Sequence, residues 1–335
     1  MRPFFLLSLL AGALLIDSLQ ADDWPIFQQN SQHNAKTDER LAAGQLALDW
    51  TWRSPAAPQP AWSGPAKWDA YAGLRGLKSM RNYDPVFHLI AVGDRVWFGS
   101  SVDDAVHCLD AQSGRELWVF HTDGPVRAPP TYWEGHLYFG SDDGHAYCVT
   151  AEGKLIWKFQ AHACARKIMN NGRLISTWPI RTGVLIENGR AYFGASLLPW
   201  QESYLCAVDA HEGTTDGPEL YVRRIEQATM EGPMAVFPGR ALVSPQGRVP
   251  PQLIALRDGR PLGSLKGGGG SFVVLTKESV FHGPGNKTGW LTASSLDSLE
   301  TVASFQGGNA IVVAGDLAFI LTDDTLTASD YVSQE

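Results

Sequence analysis

Aromatic and cationic side chains concentrate in three stretches that lack a strand or helix pattern. Residues 54–84 carry Trp62, Trp68, Tyr71, Arg75, Lys78 and Arg81. Residues 160–179 carry Arg166, Lys167, Arg173 and Trp178, with Arg181 just beyond. Residues 196–203 carry Trp200 and Glu202. On a chain of net charge −8, such clusters point to a binding face. Something planar and anionic, or a sugar, would stack on the rings. The same residue types also mark protein interfaces. A third reading has these loops folding over the body of the protein and burying their own Trp.

Other spacings build no catalytic centre. His211-Glu212 lacks a second His at the helical offset of a zinc peptidase motif, and no G-x-S-x-G is present. His107, His136 and His145 fall on strands or turns of separate segments, which makes them surface or internally satisfied residues. Gly267–Gly270 leads into the strand-like SFVVLT and not into a helix N-terminus that would hold phosphate. It is expected to serve a tight crossing that needs unusual backbone angles. Asp103-Asp104 and Asp142-Asp143-Gly144 are of metal-binding type, but they fall where a hairpin turn is needed. Asn286-Lys287-Thr288 is a glycosylation sequon. The expectation is a protein that is not an enzyme, with no catalytic or metal-ligating residue assigned.

The elements that position these loops come from a repeat with a period of about 40 residues. Its clearest copies are GDRVWFGSSVDDAVHCLDAQSGRELWVF (93–120) and GHLYFGSDDGHAYCVTAEGKLIWKF (135–159). In residues 85–121, PVFHLIAV ends at the turn Gly93-Asp94, and RVWFGS, VHCLD and ELWVF follow as three more strands. Four short strands in a meander, stacked at this period, form a β-propeller. Weaker copies continue to residue 330. The last one stops after a third strand. LDWTWRS (48–54) reads as an orphan fourth strand, with Trp50 aligned on Trp118 and Trp157 as the structural repeat Trp. The expected fold is an all-β propeller of four-stranded antiparallel blades. Six repeats are visible, five whole and one closed by the N-terminal strand. A seven- or eight-bladed ring of which this chain supplies part is the alternative. All three aromatic loops belong either to connections between strands two and three or to crossings between blades, so they are expected on one face.

Residues 1–21 read as a secretory signal: Arg2, the apolar run Phe4–Ile16, and a cleavage site near Ala21. That run is too short to span a bilayer, and no later segment is long and apolar enough. The remainder, 22–335, divides into a lead-in segment 22–47, the closing strand 48–54, a long loop 55–84 and the repeats 85–335. A periplasmic or secreted location follows. The acidic balance argues against nucleic acid as a partner. Cys108 and Cys148 share one repeat position and Cys206 lies one place earlier in its copy. Equivalent positions in successive blades are too far apart for a disulfide, which needs Cα atoms within about 7 Å. These three are expected as core residues and Cys164 as a loop thiol.

The segment YFGSDDGHAYCVTAEGKLIWKF resembles the PQQ-like β-propeller repeat family, and DDWPIFQQNSQHN resembles the lead-in of its bacterial exported members. The resemblance spans roughly 22–330 and is strongest at 85–160. It implies either of two functions: quinoprotein alcohol dehydrogenase, with PQQ and Ca²⁺ as cofactors, or the non-enzymatic outer-membrane assembly lipoprotein. Family dehydrogenases hold the quinone against a disulfide of adjacent cysteines, and this chain has no adjacent pair. Trp118 and Trp157 match the family's inter-blade Trp, which pack the ring and do not mark a quinone site. The leading expectation is therefore a non-catalytic exported scaffold that binds a protein or glycan through its long-loop face. The alternatives are a PQQ- and Ca²⁺-dependent dehydrogenase and a carbohydrate-binding propeller.

Overall fold

The computed structural model describes residues 22–37, 39, 44, 46–58, 87–170, 172–198, 200–226, 228–237, 241–247, 249–270, 272–283 and 290–331. The expected signal segment 1–21, the six loop residues from Trp62 to Arg81 and the sequon at Asn286 lie outside them.

Every repeat folds as an antiparallel sheet with strands in chain order. Blade one is β1 (Leu89–Val92), β2 (Arg95–Ser100), β3 (Ala105–Asp110) and β4 (Glu116–His121). Blade two is β5 (Thr131–Trp133), β6 (His136–Gly140), β7 (His145–Thr150) and β8 (Leu155–Gln160). A separate hairpin follows, β9 (Lys167–Asn170) and β10 (Arg173–Ser176). Blade three is β11 (Leu185–Glu187), β12 (Arg190–Ala195), β13 (Ser203–Asp209) and β14 (Tyr221–Ile225). Blade four is β15 (Ala235–Phe237), β16 (Ala241–Gln246), β17 (Val249–Ala255) and β18 (Pro261–Ser264). Blade five is β19 (Phe272–Leu275), β20 (Ser279–Gly283), β21 (Trp290–Ser295) and β22 (Thr301–Gln306). Blade six has three strands, β23 (Ala310–Ala314), β24 (Leu317–Leu321) and β25 (Leu326–Asp330).

Strand alternation gives each blade two apolar faces, and neighbouring blades bury them against each other. Phe139, Tyr147 and Val149 of blade two pack on Ile90, Val106 and Cys108 of blade one. The same arrangement joins blades two and three, three and four, four and five, and five and six. Cys108, Cys148 and Cys206 are buried free thiols and Cys164 is exposed, as the repeat alignment implied.

Trp residues of the outer strands lock successive blades. The Trp118 indole N–H donates to the Ala151 carbonyl at 3.0 Å, and that of Trp157 to Ala210 at 2.9 Å. Trp50 makes the same contact with Ala111 at 2.9 Å. Each ring lies on a glycine of the next blade's last turn. At Gly213, φ is +66° and an added Cβ would sit 2.5 Å from the Trp157 ring. Gly189 has a similar φ of +72° with nothing within 4 Å. Gly213→Ala is therefore expected to destabilise by about 3 kcal/mol, combining left-handed backbone strain with a clash. Gly189→Ala is expected to cost about 1–2 kcal/mol. Equal losses in urea unfolding would show that the Trp lock contributes nothing.

Segment 48–54 thus places Trp50 where a preceding blade would place its fourth-strand Trp. Its hydrogen bonding differs from expectation. It forms no ladder, and among the described residues no strand pairs with the outer edge of β25. Side-chain anchors on blade one hold it: the Trp52 ring lies 4.8 Å from Phe98 and 5.9 Å from Phe87.

The lead-in segment is built into the fold. Trp24 bridges Ala91 of β1, and the Pro25 carbonyl accepts from Tyr132 N–H of β5 at 2.7 Å. The Ser31 and Gln32 carbonyls accept from Val236 of β15 and Leu275 of β19, each at 2.8 Å. All four partners lie on first strands, so residues 24–32 cross between blades one, two, four and five.

Candidate functional site

Hydrogen bonds place the crossings between blades and the turns between strands two and three on one face. Asp142 N–H donates to the Pro125 carbonyl at 2.8 Å, Ile180 to Ser141 at 3.1 Å and Gly232 to Arg181 at 3.1 Å. The opposite face holds the remaining turns, tied by bonds such as Ala151 to Gly135 at 2.9 Å. Of the three loops expected on one face, 160–179 and 196–203 meet there, where Ser196 N–H donates to the Pro179 carbonyl at 3.1 Å. Residues 59–84 of the first lie outside the described residues.

Its inner part is a buried ion network. Arg127, Arg181 and Glu231 each precede the first strand of blades two, three and four by the same interval. Asp142 sits in the turn between β6 and β7 and has no solvent exposure. Its carboxylate accepts from Arg127 Nε at 2.7 Å, and from Arg181 Nε and Nη2 at 2.8 and 2.9 Å. Arg181 Nη1 lies 3.9 Å from Glu231 Oε1. Burial alone would raise the Asp142 carboxyl, but the two guanidiniums hold it below the usual carboxylate range. Asp143 accepts a 2.6 Å bond from the Tyr147 hydroxyl and one from His145 N–H at 2.8 Å. The sequence reading of Asp142-Asp143-Gly144 as a turn holds, but it missed that Asp142 is the counter-ion of two blades. The signal was a charged residue recurring four places ahead of the first strands of blades two, three and four.

Two expected binding residues are corrected by this geometry. Arg181 is fully buried in the ion network. Trp178 is 7% exposed, stacks on His162 at 4.0 Å and donates to the Glu202 carbonyl at 2.9 Å. Both close the protein body and present nothing to a partner. Residues 160–179 are also not an unstructured loop, because β9 and β10 form a hairpin within them.

The hairpin divides its side chains by register. Ile168 pairs with Ile175, and Asn170 with Arg173, on the inner face. Arg173 bonds the Asp104 carboxylate and donates to the Val102 carbonyl at 2.7 Å, so it fastens the hairpin to blade one. Arg173 is thus a structural tie, and its removal is expected to loosen the hairpin as well as any binding. On the outer face Met169 pairs with Leu174, and the two are 68% and 58% exposed. Lys167 shares that face and is exposed, as is Arg166 with its guanidinium 5.6 Å above the Trp178 ring. Trp200 is 79% exposed. The sequence reading named the cations and Trp of this region and overlooked Met169 and Leu174. Their exposure is set by pairing register, which the unaided sequence does not show.

The chain is similar to proteins of known structure and class. A family model described as outer membrane protein assembly factor BamB matches residues 51–217. BamB from Moraxella catarrhalis shares the fold at a TM-score of 0.50 with 14% identity, over 71% of each chain. A europium-containing methanol dehydrogenase shares it at 0.59 with 12% identity, over 90% of this chain and 60% of its own. The chain belongs to the PQQ-like repeat superfamily. The quinone alcohol dehydrogenase subunit of Gluconobacter oxydans (strain 621H) is 29% identical over 123 residues. That match covers 32% of this chain and only 16% of the subunit.

Superfamily dehydrogenases raise the question of PQQ and Ca²⁺, and the described residues do not fit them. No two cysteines are adjacent. Burial pushes the Cys108 and Cys148 thiols up to about 12, and they lie in separate blades. Asp142, the fully buried carboxylate of the loop face, is already neutralised by two guanidiniums. Among the described residues, no three His, Cys, Asp or Glu side chains group as a metal site.

Proposed function

We propose that this PQQ-like propeller is an exported, non-catalytic scaffold that docks a protein partner on its loop face. The observation that carries this reading is the hairpin. Its inner face is fastened by Arg173 while its outer face holds an apolar pair, Met169 and Leu174, in solvent. An ordered element with exposed large apolar side chains marks a docking surface. Trp200, Arg166 and Lys167 supply the aromatic and cationic residues that interfaces favour. Trp62, Trp68, Tyr71, Arg75, Lys78 and Arg81 are proposed as further contributors to that face. Export by residues 1–21, with cleavage near Ala21, places the scaffold in the periplasm or outside the cell. No helix among the described residues is long and apolar enough to cross a membrane.

Titrating the mature protein with PQQ plus Ca²⁺ in a calorimeter separates the scaffold from the dehydrogenase reading. The expected result is no heat and no dye reduction with alcohols; saturable heat with alcohol-dependent reduction would reverse the assignment. A photo-crosslinker at position 169 is expected to give one discrete adduct in the native envelope. Met169→Glu with Leu174→Glu should abolish the matching capture, with the melting temperature unchanged because both side chains are already exposed.

A further inference from the structure

The β9–β10 hairpin and its flanks carry charge of one sign only. Residues 160–179 hold the cations Arg166, Lys167 and Arg173 and no Asp or Glu, in a chain with 35 acidic residues and a net charge of −8. Arg173 is engaged by Asp104 and the Val102 carbonyl. Arg166 and Lys167 are exposed. Among the described residues neither forms an ion pair with a carboxylate. Acidic side chains of the adjoining loops are engaged elsewhere. Asp103 meets His107, Asp104 meets Arg173, and Glu202 lies 3.1 Å from Arg224 and accepts from the Tyr204 hydroxyl at 2.7 Å.

Pairing register fixes where the two cations lie. Lys167 is two residues from Met169 on the same face of β9, about 7 Å along the strand, so it borders the exposed pair Met169 and Leu174. Arg166 lies over the Trp178 ring at 5.6 Å, and Trp178 donates to the Glu202 carbonyl at 2.9 Å. That bond brings the loop of Trp200 to the base of the hairpin.

We infer, resting on the docking role proposed above for this hairpin, that its occupant is acidic: a short segment of a partner protein that sets a large apolar side chain on Met169 and Leu174 and carboxylates against Lys167 and Arg166. Exposed cations without a partner gain charge-assisted contacts from carboxylates and repel a basic segment. An anionic bilayer fits less well. Each cation near such a surface contributes about 1 kcal/mol, and this element offers two. A bilayer is also far wider than the screening length of about 8–10 Å, so it would face the acidic remainder of the chain, whereas a short segment covers the patch alone.

Fluorescence anisotropy of two short labelled peptides against the full mature chain tests this, one alternating Leu with Glu and the other Leu with Lys. The Glu peptide is expected to bind and the Lys peptide is not. Lys167→Glu should weaken the Glu peptide about 10-fold with the melting temperature unchanged, and added salt should weaken it in the wild-type chain. Met169→Glu with Leu174→Glu should abolish binding. Vesicles of phosphatidylglycerol in phosphatidylcholine form the lipid arm, and no binding to them is expected. Equal binding of both peptides, binding of neither, or vesicle binding that Lys167→Glu removes overturns the inference. The docking role is judged apart from it. A crosslinked adduct at position 169 whose partner segment has no Asp or Glu leaves docking standing and overturns only the acidic occupant; no adduct at all overturns both.

Discussion

Asp142→Asn is expected to lower stability by about 3–5 kcal/mol. Removing one partner of a buried ion pair leaves the other charge in a medium that solvates it poorly. Here one carboxylate serves two guanidiniums, and the side chains of Arg127 and Arg181 are 4% and 0% exposed. Asn keeps the shape and one acceptor oxygen, so packing is conserved and the loss reports charge. The three residues come from two crossings and one turn, and the damage should reach blades one, two and three together. Asp103→Asn is the control. Asp103 bonds His107 at 3.0 Å, but its side chain is 36% exposed, and such a pair is worth about 1 kcal/mol or less. Urea unfolding of both variants decides the matter. An Asp142→Asn protein within 1 kcal/mol or so of wild type would mean that the network relaxes or admits water, and the electrostatic account would fail.

That network marks the boundary of what the chain shows before folding. Strand positions were legible because Gly-Asp turns and alternating apolar residues repeat at a fixed period. The Trp lock was legible because Trp118 and Trp157 recur at one position, and Trp50 could be aligned on them. Gly267–Gly270 was read correctly as a tight crossing: Gly267 has φ +99°, and a Cβ on Gly270 would sit 2.3 Å from Gly283 Cα. The site was only half legible. Sequence shows which residue types lie in a loop, and not whether a loop is folded inward. Trp178 and Trp200 looked equivalent, yet one stacks on His162 in the body and the other stands in solvent. Arg173 and Arg181 likewise looked like binding cations, and both meet carboxylates from blades distant in sequence. Long-range charge pairing has no local signature. Met169 and Leu174 were passed over because only the pairing register of the hairpin sets them side by side on its outer face.

Acidification from pH 6.5 to 4 is expected to remove roughly 6 kcal/mol of stability, most of it through two histidines. His33 and His282 are 2% and 0% exposed, and burial lowers each to about 4. In the unfolded chain a histidine titrates near 6.5, so between about 6.5 and 4 the unfolded state binds more protons than the folded one. Stability is therefore full above pH 6.5 and falls as pH drops, with a slope near pH 5 of about 2.7 kcal/mol per pH unit for two protons. Each group saturates at roughly 3 kcal/mol below pH 4. The depressed Asp142 carboxyl works in a lower window: its contribution stands above the unfolded carboxylate value and is lost as pH falls through its own lower one. The two regimes separate on a pH series. His33→Gln and His282→Gln should each halve the slope near pH 5 and leave the lower window untouched. Stability that is flat from pH 7 to 5 would refute the assignment. The positions also predict where acid opens the fold. His33 lies on the lead-in segment with its Nδ1 3.2 Å from the Val273 carbonyl, and His282 lies on β20 of the same blade. Protonating them releases the lead-in segment from blade five first. Hydrogen exchange at pH 5 should therefore rise at Val273–Leu275 before it rises in blades one to three, where the Trp locks and the Asp142 network remain intact.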